Sequence, residues 1–171
     1  MTSPLVIPAS VSTNGTVRAI FVPTVADLGQ LDLSTEIGAV GSLDFSCYAT
    51  GDGISAETAE TNVDDPRLCS KAVYEAPGDR TDTLEITYVF NPASPANNEA
   101  HLELVEGRAG FIALRWAVDS EEDWAVGDII DLYPVTLGAQ RKNNPTRNSI
   151  HKITQKCFVT GRVSKDILVV A

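Results

Sequence analysis

The sequence predicts a mainly β domain: two packed antiparallel β-sheets, a sandwich or barrel, flanked by one α-helix. Apolar residues recur at every second position in about seven segments, turn residues separate several of these, and a single interval carries helix punctuation at both ends. A chain of 171 residues is the size of one domain and can bury a core without metal or disulfide staples, so residues 1–171 are expected to form a single unit.

Taken in order, residues 16–22 form the opening strand, and between 24 and 44 only a short helical turn near Ser34 and Ile37 is expected. Residues 49–66 carry Asp52, Glu57, Glu60, Asp64 and Asp65 with no Lys or Arg, and their small polar side chains bury little, so a long acidic loop is expected there. A strand at 70–76 should end at the turn Ala76-Pro77-Gly78-Asp79. The clearest strand is 83–90, with Leu84, Ile86, Tyr88 and Phe90 on one face and Glu85 and Thr87 on the other.

The helix is placed at about 95–106: Ser94 is the N-cap, Pro95 takes the first helical position, Ala100, Leu104 and Val105 form its apolar side, and Gly107 follows its end. Strands at 110–118 and 128–137 flank the acidic run Asp119-Ser120-Glu121-Glu122-Asp123, read as a solvated hairpin tip. Trp116 alternates with Ile112, Leu114 and Val118 and is therefore expected in the core. Residues 139–150 hold Arg141, Lys142 and Arg147 around Asn143-Asn144-Pro145, a basic loop. Strands at 152–160 and 162–170 meet at Thr160-Gly161, the signature of a tight hairpin.

No catalytic constellation appears. His101 and His151 lie in no metal or nucleophile spacing, and the clusters Gly51-Asp52-Gly53 and Gly107-Arg108-Ala109-Gly110 fit neither a phosphate loop nor a dinucleotide fingerprint. Asp119, Glu121 and Asp123 alternate as calcium ligands do, but Trp124 stands where an EF-hand loop needs glycine. Cys47, Cys69 and Cys157 form no zinc pattern and are expected as core filler, Cys157 above all. No cofactor is implied. No apolar run approaches the ~20 residues of a membrane span, and the first ten residues do not read as a signal peptide, so residence in a cytoplasm is expected.

Charge is unevenly distributed. Residues 1–137 carry 22 Asp and Glu against 6 Lys and Arg, a net of −16, and residues 138–171 carry 7 Lys and Arg against Asp166 alone, a net of +6, which together make the chain's −10. An acidic body with one basic segment suits contact between copies better than it suits nucleic acid.

The order of elements resembles the major tail tube proteins of bacteriophages with long, non-contractile tails, especially those infecting actinobacteria. The likeness rests on the opening strand ending in Val22-Pro23, the Thr35-Glu36-Ile37-Gly38 segment, Leu43-Asp44-Phe45-Ser46, and above all Gly127-Asp128-Ile129-Ile130-Asp131-Leu132-Tyr133-Pro134-Val135 leading through Gly138 into the final strands. The resemblance implies a virion protein assembled in the host cytoplasm, without enzymatic activity. It implies hexameric rings stacked into a hollow tube for double-stranded DNA, with the loop at 49–66 reaching the adjacent ring. Tape measure and tail terminator proteins are the further expected partners.

On that expectation Asp52, Glu57, Glu60, Asp64 and Asp65 of one ring meet Arg141, Lys142 and Arg147 of the next, and an acidic lumen, with Glu85 and Asp131 as candidates, repels phosphate. The competing readings are a carbohydrate- or ligand-binding β-sandwich module using Trp116 and Trp124, and another virion component such as a tail terminator or capsid decoration protein.

Overall fold

The computed structural model describes residues 7–171. The elements run β1 (Val17–Val22), β2 (Gln30–Asp32), one π-helical turn (Leu33–Ile37), β3 (Leu43–Asp44), β4 (Ala49–Pro66), β5 (Val73–Val89), α1 (Glu99–Glu103), β6 (Ala109–Trp116), β7 (Ile129–Lys142), β8 (Lys152–Val159) and β9 (Ser164–Val170). The fold is mainly β and almost wholly antiparallel, as the alternation predicts; among the described residues only β2 and β9 pair in parallel.

The strands form one 9-stranded sheet in the order β3-β1-β6-β7-β8-β5-β4, with β9 also on β7 and β2 on β9. Two apolar layers arise because the middle of this sheet is buried on both faces. In β1, Ala19 and Phe21 enter one core and Ile20 and Val22 the other; in β6, Ile112 and Leu114 enter the first and Ala113 the second. The first core also takes Leu84, Ile86 and Tyr88 of β5, Tyr133, Val135 and Leu137 of β7, and Ala100 and Leu104 from α1 and its end. The second is closed by Leu31 of β2 and Val169 of β9. Burial on both faces explains why β1 reads as a nearly continuous apolar run.

Several segments differ from expectation. Residues 49–66 are strand β4, not a loop: its backbone groups are satisfied by β5, and with both faces wet it has no apolar alternation to reveal it. The strand expected at 70–76 begins only at Val73, and from there it runs straight through the expected turn at 76–79 as part of β5. Pro77 sits opposite Asn62 beside a register shift, on a stretch of β5 whose other edge is unpaired, where a missing N–H costs no ladder bond. The helix is confined to Glu99–Glu103, because Ser94 and Pro95 instead close turns onto Asn97 and Asn98; Gly107 does adopt the left-handed φ of +81°. β7 continues through Arg141 and Lys142, which leaves a loop only from Asn143 onward.

β8 and β9 form no hairpin. Both lie antiparallel on the same edge of β7, β8 along Val135–Lys142 and β9 along Ile129–Leu132, so Thr160-Gly161 is a kink between two successive partners of one strand. Among the cysteines only Cys157 is buried; Cys47 and Cys69 are exposed because one lies between β3 and β4 and the other at the far tip of the β4–β5 pair.

Two glutamines fasten the short helix. Gln155 Nε2 donates to Leu104 O (2.9 Å) and Gly138 O (2.8 Å), and Gln140 Nε2 donates to His101 O (2.8 Å). The bonds to His101 O and Leu104 O satisfy carbonyls that a helix end leaves without partners, and the bond to Gly138 O ties the helix end to β7. Tyr88 Oη donates to Gln155 Oε1 (3.2 Å), and burial pushes its hydroxyl up to about 12 from 10.0. Burial likewise pushes the Cys157 thiol up to about 12 from 9.0. Both groups hold their protons more tightly folded than unfolded, so their contribution is complete below pH 9 and is lost as pH rises through 12. Urea midpoints measured across this alkaline range should fall with pH, and Cys157→Ala should make the decline shallower; an unchanged slope would show that burial does not hold the thiol.

Candidate assembly surfaces

β5 pairs with β8 only over Leu84–Val89, while β4 accompanies β5 as far as Pro66 and Val73. Residues 57–66 and 73–83 therefore continue beyond the body as a two-stranded arm, roughly 30 Å long at the usual antiparallel rise. Between residues 55 and 83 no side chain is buried. A two-stranded ribbon without a core is marginal in water, so this arm is suited to a surface it does not carry itself. Thr58 Oγ1 donates to Asp82 (2.6 Å) and Arg80 Nη2 to the same carboxylate (3.0 Å), bracing its base.

Of the expected contact residues, Glu57, Glu60, Asp64 and Asp65 lie on this arm, and β4 is the open edge of the sheet. Glu60 faces Arg80, but Asp64 stands directly opposite Glu75, a like-charge pair that destabilises the isolated ribbon. Asp52 lies at the start of β4, where a hydrogen bond from Thr50 and, more weakly, the charge of Lys152 hold its carboxyl below the usual range. The tip, residues 67–72, reverses its polarity with Arg67 and Lys71, and Leu68 is 112% exposed.

Arg141 and Lys142 end β7, with Lys142 Nζ 4.4 Å from the Phe90 ring centroid, and Arg147 follows in the exposed loop. Among the described residues no ion pair joins these cations to the arm of the same copy.

Glu85 and Asp131 are not brought together. Leu84 and Ile86 point into the first core, so Glu85 faces away from it, with Lys156 directly across on β8. Asp131 is on the opposite face of the sheet, the one that carries Tyr133 and Val135 into that core. It accepts from Trp116 Nε1 (3.1 Å) and Asp166 N (3.2 Å). Trp116 itself is 41% exposed, correcting its core assignment: the facing is right, but β6 runs past the core's edge before it ends.

The acidic run at 119–123 is not simply solvated. Arg115, with 0% exposure, donates from Nη1 to Asp128 Oδ2 (2.8 Å) and Asp123 O (3.0 Å), and from Nη2 to Asp119 O (2.9 Å) and Glu122 O (2.7 Å). Arg18 Nη1 donates to Glu122 O (2.6 Å) as well. The Trp124 ring lies 5.1 Å from Arg115 Cζ and 5.5 Å from Arg18 Cζ, with its Nε1 donating to Asp44. Burial raises the Asp44 carboxyl, but hydrogen bonds from Ser46 and Trp124 and the charge of Arg18 outweigh it and leave a net lowering. Ala117, with φ of 61°, turns the chain out of β6 into this loop. The sequence signal for the clamp was a lone Arg in an apolar strand shortly before a run of acids. Because Trp124 packs with the second core and Trp116 projects from the other face, the two indoles form no shared stacking platform.

The fold is that of a mainly β protein whose sheet is buried on both faces and which carries an arm without a core of its own. The family model described as phage tail tube protein matches residues 5–171, nearly the whole chain, and the chain belongs to that family. It is a component of the virion, and tube-forming self-assembly comes with the family. No curated protein matches the sequence.

Replacing Arg115 by Met should lower the unfolding free energy by about 3–5 kcal/mol, because it leaves Asp128 without its buried cation and Asp123 O without its donor, and removes one of the two donors each of Asp119 O and Glu122 O. Denaturant unfolding measures the loss, and proteolysis should show new cleavage near residues 117–126; a variant as stable as the parent refutes the clamp.

Proposed function

We propose that this chain is the major subunit of a phage tail tube, closing into hexameric rings that stack into a conduit for double-stranded DNA, with tape measure and tail terminator proteins as further partners. The observation that carries the proposal is the uncored arm on a chain matched by the tail tube family over residues 5–171. The acidic flanks of the arm, Glu57, Glu60, Asp64 and Asp65, reach the Arg141, Lys142 and Arg147 region of the adjacent ring. One exposed ion pair contributes only about 0–1 kcal/mol, but ring symmetry repeats it.

Glu85 is the better lumen candidate of the two, since it stands on an uncovered sheet face. Lys156 lies across from it and offsets its charge, so an anionic wall would draw on other carboxylates of residues 1–137, whose net charge is −16. Duplex DNA, with a charge every ~1.7 Å, is then repelled from the wall and slides.

Negative-stain microscopy of purified protein should show tubes or stacked annuli whose mean length falls as salt rises. Arg141→Glu with Lys142→Glu should shorten them, and Glu60→Lys with Asp64→Lys in the same chain should restore length. Monomers under all conditions, or tubes indifferent to salt and to the reversals, refute the proposal.

A further inference from the structure

The first half of β1, which lies before its short pairing with β3, and the start of β4 line one cleft without pairing with each other. Among the described residues β1 ladders only with β3 and β6, and β4 only with β5, and the seam between them opens into a cleft of about 310 Å³. Val17, Ala19, Ile54 and Trp116 make its apolar wall, and Cys47, exposed, stands at its margin. Acidic residues adjoin the lining in sequence: Asp52 follows Gly51, and Asp119 and Glu121, both exposed, lie on either side of Ser120.

The arm tip has the complementary character. Leu68 projects completely into solvent, and Arg67 and Lys71 on either side are the cations of the tip, the arm's other cation, Arg80, being paired with Asp82 at its base. Elsewhere in residues 1–137 the cations are engaged within the body or the arm's base: Arg18 by Asp44, Arg80 by Asp82, Arg108 by Glu103 and Arg115 by Asp128. Arg67 has only its neighbour Asp65, and both side chains are substantially exposed.

We infer that the arm tip of one copy seats in the seam cleft of another, Leu68 entering between β1 and β4 and Lys71 and Arg67 meeting Asp52, Asp119 and Glu121. The match is one of shape and sign: a single exposed aliphatic anchor framed by cations, and an apolar cleft whose lining adjoins carboxylates in sequence. It rests on the tube reading only for the identity of the partner, a second copy, and it engages a part of the arm that the acidic flanks leave free.

The chain carries its own probe, since Cys69 is at the tip and Cys47 at the cleft, whereas Cys157 is buried. Mild oxidation with diamide, or a short bismaleimide, should link copies through Cys47 and Cys69, seen on non-reducing gels and as a joined peptide by mass spectrometry. Cys47→Ser and Cys69→Ser should each abolish the product. Leu68→Asp, at a position without contacts in the single copy, should keep the circular dichroism spectrum and cut the yield about tenfold. A Cys69–Cys69 product alone, or undiminished linkage and assembly in Leu68→Asp, overturns the docking. Tubes without a Cys47–Cys69 product would remove this contact and leave the tube, and linked copies that never form tubes would keep the contact and remove the tube.

Discussion

Everything in this molecule depends on β7 serving two sets of partners. Its one edge pairs with β6; its other edge is divided between β8 and β9. That division lets a single sheet branch, one limb carrying β8, β5 and the arm, the other folding β9 and β2 over the opposite face. Both cores exist because of it, and β1 and β6, sandwiched between them, are apolar at nearly every inward position, the buried Arg115 of β6 being the exception.

Energy and charge are accordingly segregated. Apolar burial stabilises the body, with buried polar groups such as Gln155 and Arg115 admitted only where they satisfy several backbone carbonyls at once. The arm has no such interior. Its backbone is held by one ladder, its side chains are wet, and its flanks repel each other at Asp64 and Glu75. Structure is thus concentrated where one copy suffices, and contact chemistry where it does not.

The sequence revealed what burial writes into it. The strand at 83–90 was legible because one face is core, and Gly107 was legible as a left-handed glycine, although the helix it was expected to close ends earlier, at Glu103 with Leu104 as its cap. β4 was illegible because a ribbon wet on both faces has no apolar period, and the same property made it look like a loop. The pairing of β8 and β9 was misread since Thr160-Gly161 is locally a good turn, and only the length of β7 shows that two strands share it. Trp116 was assigned to the correct face but beyond the core's reach, and the exposure of Cys47 and Cys69 depends on where strands end, which periodicity does not specify. The charge division was visible from composition alone; the clamp that Arg115 places on the acidic run was not.

The free edge of β4 has one more consequence. A row of unpaired amides and carbonyls is a template that any passing strand can extend, the usual route to indiscriminate fibres. Here the row is fenced by carboxylates, so a stray strand arriving without cations meets repulsion before it meets a hydrogen bond. The carboxylates thus act as a fence around the open edge, turning stray strands away at long range before any hydrogen bond can form.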